Sequence, residues 1–359
     1  LYSICIESEP CENHFMYSNA PQNPLNTAEL LAKPWQRRLY RPLQPLVERL
    51  FDFRGAWKLY ADAGGDMAEA GPFTHRILQL RRVEWMLREA DFAALRAIDG
   101  PLVIAANHPY GGIDSFILID LLEQIRPGNW KLFSNHILDK VRPLAQHRIP
   151  VDALSMSEDG QRTNARAMRT ALQHLRGGGA LALFPARRVA YRDPQLGATV
   201  DFDWSDHAIK LAARTGAHLV CLHFPGHNSE RFLRIPKKYP LLRGLMLCRE
   251  LTQSPPRKIN LRIAMTIDPK KVADRQSDPR AAQKLRARVH LEDDLRSVPK
   301  EKAPTPPSDP AGAESEVPEK ATPPQEQFRL FSKAPFDVYL FRGDESPEHL
   351  DLLGRARSI

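Results

Sequence analysis

Residues 102–114 read L-V-I-A-A-N-H-P-Y-G-G-I-D, and the fold follows from them. Leu102–Ala106 is an apolar run without alternation, as expected of a short strand buried on both faces. From Asp114 to Gln124 the apolar residues return at helical spacing. A buried strand that enters a helix through a turn containing Gly111 and Gly112 is an α/β unit. Outward from it the alternation continues. A helix is expected over residues 76–89, a strand over 131–134, and a helix over 163–176 closed by three glycines. Strands follow at 180–184, 218–224 and 258–267, with helices at 207–215 and 279–297. The expected class is α/β, with a mixed, largely parallel sheet flanked by helices and preceded by amphipathic N-terminal helices.

Composition narrows the field. The 359 residues are 42% hydrophobic and carry a net charge of +8. That excludes a disordered or collagen-like chain, and no run reaches the roughly 18 apolar residues a spanning helix needs. Residues 1–25 lack a basic start followed by an apolar core, so no export signal is expected, and Met16 is a plausible natural start. The four cysteines, Cys5, Cys11, Cys221 and Cys248, have no metal or disulfide spacing, which fits a reduced, cytosolic compartment. The excess positive charge suits an anionic membrane, an acidic carrier protein or a phosphate-bearing substrate equally.

Between residues 30 and 53, Trp35, Leu39, Leu43, Leu46 and Leu50 recur among Arg37, Arg38, Arg41 and Arg49, with breaks expected at Pro42 and Pro45. Two readings stand: helices lying on anionic lipid, or helices packed on their own domain. Proline totals 31, against a usual share of about 5%. Eight of these lie in residues 299–327, which lack aromatic residues, Leu, Ile and Met. That composition predicts a disordered linker. The domain division is therefore an uncertain extension at 1–25, a domain at 26–298, the linker at 299–327 and the start of another domain at 328–359.

Chemistry points to the turn after the first strand. Reactive groups in α/β sheets sit at the carboxyl ends of strands. His108 could take a proton from a hydroxyl or amine nucleophile, with Asp114 folded back to hold the imidazole. Amides near Gly111 and Gly112 could face a developing oxyanion. The plain alternative makes Asp114 the N-cap of the next helix and the glycines an ordinary turn. A His…Asp offset is cheap among twelve histidines, and His147 with Asp152 is a second instance. No His/Cys/Asp cluster has ligand spacing, so no metal is expected.

The turn resembles the first block of the glycerolipid acyltransferase superfamily, written N-H-x-x-x-x-D. The variant has one added residue and a Pro-x-Gly-Gly loop, as in the ornithine-lipid and hemolysin-like branch of lysophospholipid-type acyltransferases. Further blocks resemble the family in order: R-I-P-V-D at 148–152, L-F-P-A-R-R-V-A at 183–190, F-P-G-H-N-S-E-R-F at 224–232, and a basic segment at 239–251 ending in R-E-L. The similarity covers residues 75–298 and implies a glycerol-3-phosphate acyltransferase-like fold. It makes His147–Asp152 a decoy at a strand entry. Arg187 and Arg188 depart from the family's Gly and Glu. They could bind a phosphate or a phosphopantetheine arm, block the site, or face solvent. Residues 336–357 resemble the opening of an ornithine N-acyltransferase domain and stop short of its remainder.

The resemblance implies transfer of a fatty acyl group from acyl-carrier protein or acyl-CoA, as co-substrate, to the hydroxyl of a lyso-ornithine lipid or lysophospholipid. No bound cofactor and no nucleic-acid partner are expected. His108 and Asp114 would be catalytic, Asn107, Gly111 and Gly112 would form the oxyanion loop, and Arg187, Arg188, Asn228 and Ser229 would meet substrate. The expected location is cytoplasmic, peripheral on the inner face of the membrane. The alternatives are an inactive lipid- or carrier-binding remnant and a thioesterase.

Overall fold

The structure, a computed structural model, describes residues 34–135, 141–152, 158–297, 329–333 and 336–339. The expected extension at 1–25, the linker at 299–327 and most of the resemblance at 336–357 lie outside the described residues. The chain divides into two compact units, Leu1–Val289 and His290–Ile359. In the second, β11 (Arg329–Lys333) and β12 (Phe336–Tyr339) pair antiparallel.

The first unit is built on a six-stranded sheet of β2 (Leu102–Ala106), β3 (Trp130–Asn135), β4 (Arg148–Val151), β5 (Ala180–Leu183), β8 (His218–His223) and β10 (Arg262–Ile267). Their spatial order is β10-β8-β2-β5-β3-β4, parallel except for β10, which runs antiparallel to β8. This is the α/β class expected. Every residue of β2 is buried, which explains why its sequence shows no alternation. Its side chains still divide by the two-residue period of a strand. Leu102, Ile104 and Ala106 join Ile117, Leu118 and Leu121 of α6 (Ile113–Ile125) on one face. Val103 and Ala105 join Ala171 of α7 (Glu158–Arg176) and Ala212 of α8 (His207–Thr215) on the other. Helices thus cover both faces of the central strand.

The chain runs from β2 out past β5 to β3 and β4, returns to β5, and then crosses to β8 on the far side of β2. The carboxyl ends of β2, β5 and β8 therefore flank the point where the strand order reverses, where ligand crevices form in open α/β sheets.

Two expected elements differ. The helix expected over 76–89 is α4 (Ala70–Leu80) followed by β1 (Val83–Met86). Arg82 takes φ 51 and stops the helix, and β1 pairs in parallel with the distant β9 (Arg257–Asn260). Val83 and Met86 mimic a helical step, and nothing local reveals a partner about 170 residues away. The strand expected over 258–267 is two strands in two sheets, β9 and β10, parted at Leu261, whose N–H donates to Met86 O at 2.8 Å.

At the described N-terminus, α1 (Pro34–Tyr40) and α2 (Gln44–Leu50) part at residues 41–43. Pro45 lies in the first turn of α2, where its missing N–H costs nothing. Neither helix has a buried residue: Tyr40 and Val47 are half-buried, and Trp35, Leu39, Leu43, Leu46 and Leu50 are exposed. Asp52 caps α3 (Phe53–Asp62), accepting from Gly55 N at 3.2 Å. Among the described residues, no helix is long and apolar enough to cross a membrane.

Candidate active site

The strand β2 ends at Ala106 and delivers Asn107 and His108 to the crevice. The His108 main chain is held from two sides: its N–H donates to Asp201 Oδ1 (3.2 Å), and its carbonyl accepts from Ala190 N (2.9 Å). Its ring stacks on Phe184, just past β5, with centroids 3.9 Å apart and planes 21° from parallel. Nδ1 lies 3.0 Å from Asp114 Oδ2. The side chain is 13% exposed, and that of Asp114 is fully buried.

Asp114 is not the helix cap. Gly112 occupies that position with no side-chain cap. The carboxylate instead turns back into the loop. Oδ2 accepts the N–H groups of Tyr110 (2.9 Å) and Gly111 (3.0 Å), and Oδ1 accepts that of Ser115 (2.8 Å). A carboxylate oxygen accepts and does not donate, so with Asp114 a carboxylate Nδ1 presents its proton to Oδ2 and Nε2 of the neutral ring is left with a lone pair. Among the described residues nothing is hydrogen-bonded to Nε2. The pair can therefore accept a proton at Nε2 and spread the resulting charge onto Asp114.

The loop fits only with glycine at residue 111. Its φ is +86°, and a Cβ there would stand 2.7 Å from Val189 Cγ2 and 2.9 Å from Leu247 Cδ2. The Gly111 amide is committed to Asp114, and the Asn107 carboxamide exchanges hydrogen bonds with the Phe224 main chain (2.8 and 2.6 Å). In these contacts Asn107 and the Gly111 amide hold the shape of the loop. The Gly112 N–H has no acceptor among the described residues.

The segment after β8 closes the far side. Tyr110 Oη donates to Pro225 O (2.7 Å), and Asn228 Nδ2 donates to Tyr110 O (3.0 Å). Ser229 caps α9 (Glu230–Leu233), and both its N–H (2.9 Å) and its hydroxyl (2.5 Å) donate to the Glu250 carboxylate. The described contacts of Asn228 and Ser229 thus brace the loops around the histidine. Glu250 lies on α10 (Pro240–Gln253) and is buried.

Arg187 and Arg188 follow Phe184 in the loop after β5. Arg187 is exposed at φ 62, a left-handed conformation that favours glycine, and the resembling family has glycine there. Arg188 lies 3.7 Å over the Phe202 ring, and burial, then Arg187, lowers its pKa. Neither is brought into hydrogen-bond contact with His108 or Asp114. A third guanidinium holds this loop from behind. Arg243 of α10 is buried and donates to the carbonyls of Ile235 (2.9 Å), Val189 (3.2 Å) and Ala190 (2.6 Å), with Phe232 4.2 Å below it. Burial, with Arg188 adding, pushes its pKa down to about 10.

Sequence reasoning passed over Phe184, Asp201, Arg243 and Glu250. Phe184, Arg243 and Glu250 lie inside quoted blocks, so their position was available and their roles were not. For Asp201 the signal is faint: it sits three residues before Trp204, whose Nε1 donates to it at 2.9 Å. His147 and Asp152 do not meet. His147 stacks on Trp130, and Asp152 pairs its main chain with the Asn164 carboxamide. Among the described residues no group of three His, Cys, Asp or Glu could hold a metal.

No family model matches the chain. Over 137 residues, 38% of this chain, it is 26% identical to the lyso-glycine lipid O-acyltransferase of Phocaeicola vulgatus. The match spans 46% of that protein, under half its length. The likeness supports an acyltransferase family at that coarse level.

Proposed function

We propose that the chain transfers a fatty acyl group from a thioester, acyl-CoA or acyl-carrier protein, to the hydroxyl of a lyso-lipid. The observation that carries this reading is the buried Asp114 carboxylate 3.0 Å from His108 Nδ1, with Nε2 left open at the reversal point of the sheet. The likeness to a lipid O-acyltransferase supports the same class.

In this reading Nε2 takes the acceptor's hydroxyl proton as the oxygen attacks the thioester carbonyl carbon, and Asp114 stabilises the imidazolium. The Gly112 N–H, at the open end of α6, stabilises the tetrahedral oxyanion. The carbonyl then re-forms, the C–S bond breaks, and the leaving thiolate takes the proton from Nε2. The products are an acylated lipid and a free thiol. General-base assistance is worth about 10²–10⁴-fold, and one oxyanion donor about 3 kcal/mol.

A lipid acceptor brings the site to a membrane. Trp35, Leu39, Leu43, Leu46 and Leu50 are 56–66% exposed beside Arg37, Arg38, Arg41 and Arg49. Exposed Tyr239, Leu241 and Leu242 with Lys237 and Lys238 form a second apolar and basic set at the start of α10. Both suit an anionic leaflet, with the protein peripheral on its cytoplasmic side.

The test supplies purified protein with labelled acyl-CoA or acyl-carrier protein. Vesicles carry lyso-ornithine lipid, lyso-glycine lipid or lysophosphatidic acid. Acylated lipid in at least one combination is expected. Free fatty acid released without acceptor would assign a thioesterase, and no product in any combination would leave a non-catalytic remnant.

A further inference from the structure

The helices α4 and α6 and the strands β1 and β9 line an open groove of about 770 Å³. That size takes a small-molecule ligand, for which ~300–1,000 Å³ is usual. Its apolar lining is Leu78, Val83, Trp85 and Pro256, and its cations are Arg82, Arg257 and Lys258. The parallel register sets Val83 beside Arg257 and Glu84 beside Lys258.

The carboxylates facing the groove are engaged. Glu84 pairs with Lys258 at 3.1 Å, and Asp120 accepts from Trp85 Nε1 (2.8 Å) with His75 Nδ1 3.3 Å away. Arg82 is exposed and has no side-chain hydrogen bond or ion pair among the described residues. Arg257 donates from Nη1 to His227 O, and its buried Nε has no acceptor among the described residues. Arg82 also holds φ 51 at a helix end, where glycine would sit without strain. Arg257 links the groove to the candidate active site: its guanidinium is 4.9 Å from the Tyr110 ring centroid and donates to His227 O at 3.0 Å. Tyr110 and His227 belong to the loops that surround His108.

We propose that this groove binds the nucleotide end of the acyl donor, with phosphates on Arg82, Arg257 and Lys258 and the base against Trp85. The donor is then a coenzyme A thioester. A compact volume combining an indole with three cations fits a heterocycle bearing several phosphates. The arm of a carrier protein brings one phosphodiester and no base. The assignment rests on the acyl-transfer reading above.

The experiment titrates the full chain with adenosine 3′,5′-bisphosphate and with coenzyme A by calorimetry. Arg82→Gly removes the guanidinium and relieves the left-handed backbone, so the variant keeps its fold. It should weaken both ligands about tenfold, the usual effect of one charge-assisted contact. Glu84→Gln removes the carboxylate that competes for Lys258 and should tighten both several-fold. In transfer assays Arg82→Gly should raise KM for acyl-CoA and leave kcat unchanged. Absence of nucleotide binding at millimolar concentration, or unchanged affinity in both variants, would overturn the proposal. Transfer from acyl-carrier protein without nucleotide binding would remove the groove assignment and keep the acyl-transfer reading. Nucleotide binding without transfer to any acceptor would do the reverse.

Discussion

Replacing Arg243 by methionine tests how the loop after β5 is held. The guanidinium makes three hydrogen bonds to carbonyls, of Ile235, Val189 and Ala190, and lies over Phe232. Each bond to a charged donor contributes about 1.5–3 kcal/mol, and a buried carbonyl left alone costs about 1–3 kcal/mol. The loss is smaller than the sum. Methionine refills part of the volume, and removing a guanidinium whose pKa burial has pushed down to about 10 recovers desolvation energy. The expected net destabilisation is about 2–4 kcal/mol. Ala190 N also donates to His108 O, so the histidine loosens with the loop. Arg243→Lys keeps the charge and loses the fork, and should fall between wild type and methionine. Urea unfolding of all three proteins measures this. A loss under about 1 kcal/mol for Arg243→Met would refute the reasoning.

Other expectations follow from the same geometry. Asp114→Asn cannot accept from three amides and the imidazole at once. It should lower transfer by about 10²–10⁴-fold and stability by about 1–3 kcal/mol, read from initial rates and denaturant midpoints; a rate within threefold of wild type would contradict this. Arg187→Gly relieves a left-handed residue and should gain about 0.5 kcal/mol after the larger chain entropy of glycine is subtracted. A measured loss would show that Arg187 makes a contact that matters. His174 is held below its ordinary pKa by burial; burial, with Arg187 adding against Asp206, does the same at His207. The unfolded chain therefore binds more protons, and stability should fall as pH drops through about 6.5. His207→Gln should flatten that slope in unfolding curves taken from pH 7.5 to 5.5.

The sheet was legible because its strands announce themselves locally. Leu102–Ala106 and Ala180–Leu183 are short and wholly apolar, and Gly177–Gly179 stops the helix before β5. The pairing of β1 with β9 was not legible, because Val83–Met86 satisfies a helical step as well as a strand and its partner is remote. Of the candidate site, His108 and Asp114 could be read, since a short loop forces them together. The contacts of Asn107 and Gly111 could not. Whether an amide faces a substrate or a carboxylate depends on which way Asp114 turns, and composition does not specify that. The braces act across 93 residues for Asp201, 53 for Arg243 and 21 for Glu250, beyond any local pattern.

The central claim is that His108 Nε2 removes the acceptor's proton. It is tested most directly by single-turnover acyl transfer with His108→Ala, at saturating donor and with the unfolding midpoint checked. The account predicts a fall of at least about 100-fold with the fold intact. A rate within threefold of wild type would contradict it.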